Sequence, residues 1–334
     1  MKIAINGFGR IGRIFFRQAF EKNDDFEIVV VNDLADIDNL AYLLKYDSIY
    51  GRFEKEIAVK DGKFIIDGKE IKVFSEKDPA NLPWKDLGID LVVESTGIFT
   101  TYEKAESHIK AGAKRVVITA PSNDEKIKTA TPNVGIEFLT DYKITSNASC
   151  TTNAATPIAA IMMKNPGIKK AVLNTVHGYT ATQGLVDSSD AKDFRRGRAG
   201  AQNIVPSSTG AAEAVYRAMP EMKDIFDGVA LRVPIISGSL IDFTFLASRK
   251  TSVEEINNIL THAAGEPEWQ GIFKVSREPL VSTDILGEPY GSIADLEFTR
   301  VVDHDLVKIL SWYDNEWGYS AMLIKHIESL KKLL

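Results

Sequence analysis

Lys2-Ile3-Ala4-Ile5-Asn6-Gly7-Phe8-Gly9-Arg10-Ile11-Gly12-Arg13 opens the chain, and its reading decides the fold class. A short apolar run over 2–6 ends at Gly7, and helical spacing of Ile11, Ile14, Phe15 and Ala19 follows over 10–22. The G-x-G-x-x-G between them fits the turn of a dinucleotide-binding unit. Gly7 allows the tight turn, Gly9 lets the backbone approach a pyrophosphate, and Gly12 lets helix and strand pack closely. Phe8, Arg10 and Ile11 complete this candidate cofactor-binding turn, whose helix start offers free N–H groups and a positive dipole end to phosphates. Alone the pattern is weak, and a glycine turn without a ligand is the alternative. The strand, the helix and Asp33 at the end of the next strand (26–32) all agree with the cofactor reading. Asp33 is placed to accept hydrogen bonds from an adenine ribose, and its charge repels a 2′-phosphate, which favours NAD over NADP.

Further along, a helix is expected over 36–45. Asp90-Leu91-Val92-Val93-Glu94 and Arg115-Val116-Val117-Ile118-Thr119 read as strands buried on both faces, with a helical stretch at 101–112 between them. Ser95-Thr96-Gly97 ends one of these strands on the edge where such folds bind ligands. Strand and helix alternate to about residue 148, which predicts an α/β, doubly wound, Rossmann-type parallel sheet. The stretch 52–75, with turns at Asp61-Gly62 and Asp67-Gly68, reads as inserted antiparallel hairpins. After residue 150 come a helix at about 153–164 and long strands at 170–177, 227–234, 238–248, 293–300 and 305–313, with helices at 210–218 and 252–263. That pattern predicts an α+β domain with a mainly antiparallel sheet covered by helices on one face. Pro157 places the regular start of the first helix near 153, or kinks it. Residues 178–208 have little periodicity, and so long an irregular segment is usually functional. The stretch 319–334 is helical, and its Met322, Leu323, Ile327, Leu330 and Leu334 need a partner surface.

At 334 residues two domains are the default. A net charge of −6 argues against a general nucleic-acid binder. No apolar stretch approaches the length of a membrane span, and no signal peptide precedes the first strand. A single cysteine without an export signal points to a reducing cytoplasm.

That cysteine, Cys150, sits in Ser149-Cys150-Thr151-Thr152-Asn153, among small and hydroxylated residues. The setting suggests a nucleophile, although an inert buried thiol is the common alternative. His177 ends the apolar strand Ala171–Val176 and opens the irregular segment, where it suits a general base. A structural histidine is the competing reading. The other four, His108, His262, His304 and His326, read as lying in charged or helical surface contexts. Arg195-Arg196-Gly197-Arg198, Thr180-Ala181-Thr182, Ser207-Ser208-Thr209-Gly210 and Arg232 supply donors suited to phosphate or carboxylate. A solvated cluster or a subunit contact is the alternative for the arginines. No metal-binding spacing is present.

These motifs, with Val31-Asn32-Asp33-Leu34, Lys45-Tyr46-Asp47-Ser48, Thr175-Val176-His177, Gln202–Ala212, Arg232-Val233-Pro234 and Ser311–Ser320, resemble the phosphorylating glyceraldehyde-3-phosphate dehydrogenases over essentially the whole length. The resemblance implies oxidation of glyceraldehyde 3-phosphate through a Cys150 thiohemiacetal and thioester, with His177 as base and inorganic phosphate as acceptor of the acyl group. It implies that Thr180 and Arg232 hold the substrate phosphate. Ser149, Thr151, Thr209, Gly210 and Arg196 would hold the attacking phosphate. Asn315 would hold the nicotinamide carboxamide, and Thr119 and Tyr319 join the cofactor site. It further implies a dinucleotide-binding domain of 1–149 and 317–334, a catalytic domain of 150–316, an S-shaped loop over about 178–203, and a homotetramer. The alternatives are an erythrose-4-phosphate dehydrogenase or another cysteine-dependent semialdehyde dehydrogenase; an idle nucleotide-sensing binding protein is the reading from another class.

Several stretches depart from the family pattern. Ala154 replaces a second cysteine. Residues 123–137 are atypical. Ile235-Ile236-Ser237-Gly238-Ser239 stands where Thr-Pro-Asn-Val-Ser is usual, which suggests changed subunit packing. Asp187-Ser188-Ser189-Asp190 replaces a Leu-Pro type of pair, which leaves NADP open as a secondary cofactor beside NAD.

Overall fold

The computed structural model describes residues 1–21, 26–191 and 193–331, without the side chain of Phe138. Lys22 and Leu334, at the ends of two expected helices, lie outside the described residues. The chain forms two compact units. One comprises Met1–Ala130, Ile136–Ala148 and Leu323–Leu334; the other comprises Thr131–Gly135 and Ser149–Met322.

The first unit is built on a nine-stranded sheet. Its order is Lys128–Thr129, Ile144–Ser146, Arg115–Ile118, Leu91–Glu94, Lys2–Asn6, Glu27–Asn32, Lys69–Phe74, Lys63–Ile66 and Ile57–Lys60. Pairing is parallel as far as Lys69–Phe74. The last two strands add antiparallel hairpins. Their turns are where expected, with Asp61, Gly62, Asp67 and Gly68 all at positive φ. Ile3, Ala4, Ile5, Val30, Val31, Val92, Val93, Val116 and Val117 are fully buried, as strands covered on both faces require. The chain leaves Lys2–Asn6 to one side and returns on the other at Leu91–Glu94. This reversal opens a crevice at the carboxyl ends of three neighbouring strands.

Two histidines expected at the surface are wholly buried here. Trp84 Nε1 donates to His108 Nδ1 at 3.0 Å, and His108 Nε2 faces Glu94 Oε2 at 3.0 Å. The charged flanks Glu106 and Lys110 lie on the outer face of the helix Tyr102–Lys110, while His108 lies on its inner face. His326 has Nε2 3.1 Å from Thr145 Oγ1 and Nδ1 3.2 Å from the Ala130 carbonyl.

Burial holds His326 down to about 4, against the Ala130 carbonyl, which favours the charged form. A histidine depressed in the folded state stabilises it above the unfolded pKa. That contribution is lost as pH falls from about 6.5 to about 4, and it is worth on the order of 3 kcal/mol. The expected outcome is a smaller loss of urea midpoint between neutral and mildly acid pH for His326→Gln than for the wild type. Equal losses would count against it.

The second unit carries a seven-stranded sheet ordered Val205–Ser208, Phe226–Val233, Ile168–Gly178, Ser239–Ala247, Leu306–Tyr313, Ser292–Val302 and Phe273–Ser276. Four pairings are antiparallel. Two are parallel: Ile168–Gly178 with Phe226–Val233, and Phe273–Ser276 with Ser292–Val302. The sequence reading missed two four-residue strands, Val205–Ser208 and Phe273–Ser276. Both are edge strands, and Pro206 is tolerated there because its missing N–H faces no partner. Ile241, Phe243 and Phe245 alternate inward into a core with Ile158, Met162, Val215 and Leu260 of the covering helices.

The helix expected from about residue 153 runs Cys150–Lys164. Pro157 forfeits only the bond to the carbonyl of Asn153. Burial of Ala154, Ala155, Ile158 and Ala159 outweighs that single loss. The atypical segment near 132 forms a tight turn, with Thr131 and Val134 exchanging backbone bonds at 3.0 Å and Asn133 at φ +63°. Within the second unit, Thr131 Oγ1 meets Thr156 Oγ1 at 2.8 Å.

Candidate active site

The ends of the strands Ile168–Gly178, Phe226–Val233 and Leu306–Tyr313 meet one helix start in the second unit and build the candidate reactive centre. Ala148, in the left-handed region at φ +57°, turns the chain into the helix. Ser149 caps that helix, its Oγ accepting from Thr152 N at 3.1 Å. Cys150 is therefore the first helical residue, half-buried, where the helix dipole favours an anion. Its Sγ lies 3.3 Å from His177 Nε2.

His177 is paired with Arg232 across the parallel strands Ile168–Gly178 and Phe226–Val233. That register brings the guanidinium to the far side of the imidazole. Nδ1 is 2.6 Å from Arg232 Nη1 and 2.6 Å from the Gly178 carbonyl oxygen. A guanidinium only donates and a carbonyl only accepts, so a neutral ring satisfies one of them at a time. With Nδ1–H given to Gly178, Nε2 is the bare nitrogen facing Sγ. That is the form able to take the thiol proton.

The electrostatics keep this pair neutral at pH 7. Burial pushes the Cys150 thiol up, opposed by the Arg232 charge and by hydrogen bonds from Thr151. Burial, and then the Arg232 charge, pull His177 down to about 3, against the Gly178 carbonyl. Burial also lowers Arg232, and the nearby charge of Arg196 adds to this, while Cys150 and Tyr313 act the other way. A buried guanidinium that feels a second one beside a thiol calls for an anion.

Tyr313, not singled out from sequence, sits beneath the pair. Its hydroxyl meets Thr151 Oγ1 at 2.9 Å and Thr175 Oγ1 at 2.8 Å, and its ring stands edge-on to His177 at 6.0 Å. Burial, then the Cys150 charge, raise its pKa, so it stays a neutral donor. Only the strand register Ser239↔Tyr313 reveals this placement.

The expected phosphate ligands are partly engaged already. Arg196 Nε and Nη2 donate to Ser207 Oγ at 3.0 and 2.9 Å. Thr209 Oγ1 accepts from Ala211 N at 3.1 Å, and Gly210 is the N-cap of the helix Ala211–Ala218. The Thr151 hydroxyl points inward to Tyr313, and that of Ser149 is used in capping. Thr180 Oγ1 meets Thr182 Oγ1 at 2.8 Å in the irregular segment. Arg198, by contrast, pairs with exposed Asp187 at 2.9 Å. Tyr319 is buried, and burial with the Cys150 charge keeps its hydroxyl protonated.

The crevice of the first unit holds a separate cavity of about 380 Å³, lined by Gly7, Gly9, Asp33, Leu34, Ser95 and Thr96 among others. Gly7 has φ +91°, and a Cβ there would lie 2.7 Å from Thr96 N. A Cβ on Gly12 would lie 2.2 Å from the Gly7 carbonyl. One on Gly9 would meet nothing within 4 Å, so that backbone faces open space. Asp33 Oδ2 accepts from Phe8 N at 2.6 Å and Oδ1 from Ala35 N at 2.9 Å, tying its carboxylate to the turn. Ser95 Oγ donates to the Gly7 carbonyl at 2.6 Å. Gly97 is at φ +72°, and Thr119 N donates to the Glu94 carbonyl at 2.9 Å, at the same sheet edge. The open backbone at Gly9, the start of the helix Arg10–Glu21 and the fixed carboxylate fit a dinucleotide.

Behind this cavity runs a buried polar chain that residue spacing does not announce. Glu94 Oε2 accepts from Asn6 Nδ2 at 2.6 Å, Asn6 Oδ1 from Asn32 Nδ2 at 2.7 Å, and Asn32 Oδ1 from Glu76 N at 2.8 Å. A carboxylate ending a buried strand was the only signal. Among the described residues no group of histidines, cysteines and carboxylates could hold a metal ion.

Residues 149–315 match the family model described as the glyceraldehyde 3-phosphate dehydrogenase C-terminal domain, and residues 1–102 match its NAD binding domain. The chain is 46% identical to the glyceraldehyde-3-phosphate dehydrogenase of Clostridium pasteurianum, covering 99% of both chains. It is 45% identical to that of Borreliella burgdorferi, over 99% of this chain and 100% of the relative. Glyceraldehyde-3-phosphate dehydrogenase A of Escherichia coli strain K12 is likewise 45% identical, over 99% of each. With both domain models matched and such identity over almost its full length, the chain belongs to the glyceraldehyde-3-phosphate dehydrogenase family.

Proposed function

We propose that this protein oxidises D-glyceraldehyde 3-phosphate to 1,3-bisphosphoglycerate with NAD and inorganic phosphate. The contact of Cys150 Sγ with His177 Nε2 at 3.3 Å carries the reading. His177 takes the thiol proton, Sγ bonds to the aldehyde carbon as its C=O π bond opens, and the imidazolium returns the proton to that oxygen, giving the hydroxyl of a thiohemiacetal and a neutral ring. His177 then receives that hydroxyl proton as the carbon loses hydride. NAD supplies the hydride acceptor. A thioester remains on Cys150. A phosphate oxygen attacks its carbonyl carbon, the C–S bond breaks, and the thiolate returns with the acyl phosphate as product. Hydrolysis would dissipate the oxidation energy that phosphorolysis retains.

Arg232 and Thr180 hold the substrate phosphate in this reading. Arg196, Thr209, Gly210, Ser149 and Thr151 receive the attacking one. Support comes from the charge of Arg196 acting on Arg232 and from the helix that starts at Gly210. Gly7–Gly12, Asp33, Ser95–Gly97 and Thr119 bind the dinucleotide, and Asn315 and Tyr319 meet its nicotinamide end. The tethered carboxylate of Asp33 favours NAD, with NADP as a secondary cofactor. The curated relatives are named for the triose substrate, which favours it over erythrose 4-phosphate or another semialdehyde.

A homotetramer in the cytoplasm completes the proposal. Leu185, Val186, Phe194 and Ile204 of the irregular segment are largely exposed, as are Val172 and Val229 on the outer sheet face, which suits burial against other copies. No described helix is long and apolar enough to cross a membrane. The test is NADH formation from glyceraldehyde 3-phosphate with and without phosphate or arsenate, repeated with NADP. Dependence on the anion and a higher kcat/KM for NAD are expected. Anion-independent turnover, or a clear preference for NADP, would contradict the corresponding part.

A further inference from the structure

Asn315 is held by one end of its amide only. Its Oδ1 accepts from Ser239 Oγ at 2.8 Å and lies 3.2 Å from Ser237 Oγ. Nδ2 donates to none of the described residues. The strand register explains the convergence. Ser239 opens the strand Ser239–Ala247 and pairs with Tyr313, so it lies beside the chain that continues into Asp314 and Asn315. Gly238 bends the chain between the two serines at φ +86°, with no room for a side chain: a Cβ would lie 2.1 Å from the Ser282 carbonyl.

Proton counting fixes the orientation. Ser239 Oγ accepts from Gly178 N at 3.2 Å, so its own proton is free to go to Asn315. The proton of Ser237 goes to Asn315 Oδ1 or to Asp314 Oδ1, each 3.2 Å away. Turning the Asn315 amide over would set its NH₂ against Ser239 and leave the Ser239 proton without an acceptor. Ser237, Ser239, Asp314 and Asn315 are all buried, so that loss is costly.

We propose that Ser237 and Ser239 are positioning residues that lock the Asn315 amide so that only a donor faces the ligand. The site then selects a ligand carbonyl oxygen, and the carboxamide NH₂ of nicotinamide is not needed for this contact. The inference rests on the reading of Asn315 as the nicotinamide anchor. It also gives a role to the segment 235–239, for which the sequence suggested changed subunit packing. Ser237 stands where the family usually has an asparagine, whose amide would also donate.

The experiment compares wild type, Ser237→Ala, Ser237→Asn and Asn315→Ala, all checked for folding by circular dichroism. KM and kcat are measured for NAD and for its 3-acetylpyridine analogue, which keeps the carbonyl acceptor and lacks the NH₂. Wild type should use both cofactors with similar KM. Ser237→Ala should raise KM for both by several-fold to about tenfold, the effect of one hydrogen bond to the amide, with little change in kcat. The rise should be equal for the two cofactors, because Ser239 still fixes the orientation of the amide while Asn315 loses one of its two anchors. Ser237→Asn should restore wild-type values. A wild-type KM much higher for the analogue than for NAD, or a rise in Ser237→Ala that Ser237→Asn does not rescue, would overturn the lock. So would no rise in Ser237→Ala when Asn315→Ala raises KM. Unchanged KM in Asn315→Ala would instead remove the anchor reading, and the lock with it.

Discussion

Cys150→Ser is expected to lower NADH formation by about four orders of magnitude or more, the scale seen when a covalent nucleophile is removed. A hydroxyl at this place has no comparable acidity, and the neutral imidazole at Nε2 is too weak a base to compensate. Dinucleotide binding should survive, because Gly7, Gly9 and Asp33 line a cavity built wholly from the first unit. Steady-state turnover and NADH binding by fluorescence check the two halves. Appreciable residual dehydrogenase activity would rule out the thiolate mechanism.

His177→Asn is the second large effect, expected at roughly a hundred- to ten-thousandfold in kcat, the usual contribution of a positioned general base. The ring lies 3.3 Å from Sγ, and burial, then the Arg232 charge, keep it neutral, with one ring nitrogen unprotonated. Its loss should slow hydride transfer and also slow alkylation of Cys150 by iodoacetamide at neutral pH. Ordinary alkylation with normal turnover would show that another group takes the proton.

The strand, glycine turn and helix at 2–21 were legible because all their parts are local: an apolar strand, three glycines, a helix start, and Asp33 just after the next strand. Each constraint acts between near neighbours, so spacing is enough. The alternation of buried β-branched runs exposed the parallel sheet in the same way. Cys150 and His177 were legible as residues in suggestive settings, but their contact was not. It depends on how the helix Cys150–Lys164 packs against the strand Ile168–Gly178, and the Arg232 partner depends on the parallel register with 226–233; nothing local encodes either. Tyr313 and the Ser237–Ser239–Asn315 cluster were hidden for the same reason. His108 was misread because charged neighbours on a helix describe its outer face, while position 108 faces Trp84 and Glu94. The start of the helix at Cys150 was misplaced because one proline outweighed, in the reading, a serine cap and a fully buried apolar face. The correction matters chemically, since it puts the thiol at the helix terminus itself.

The central claim is that Cys150 holds the acyl group until phosphate removes it. It is tested most directly by mixing the protein with NAD and glyceraldehyde 3-phosphate while withholding phosphate. The account predicts a burst of about one NADH per chain, then near arrest, as expected for a trapped acyl-enzyme. Mass spectrometry should find the acyl group on the Cys150 peptide, and added phosphate should discharge it and restart turnover. Undiminished turnover without phosphate, or a burst that leaves Cys150 unmodified, would contradict the account.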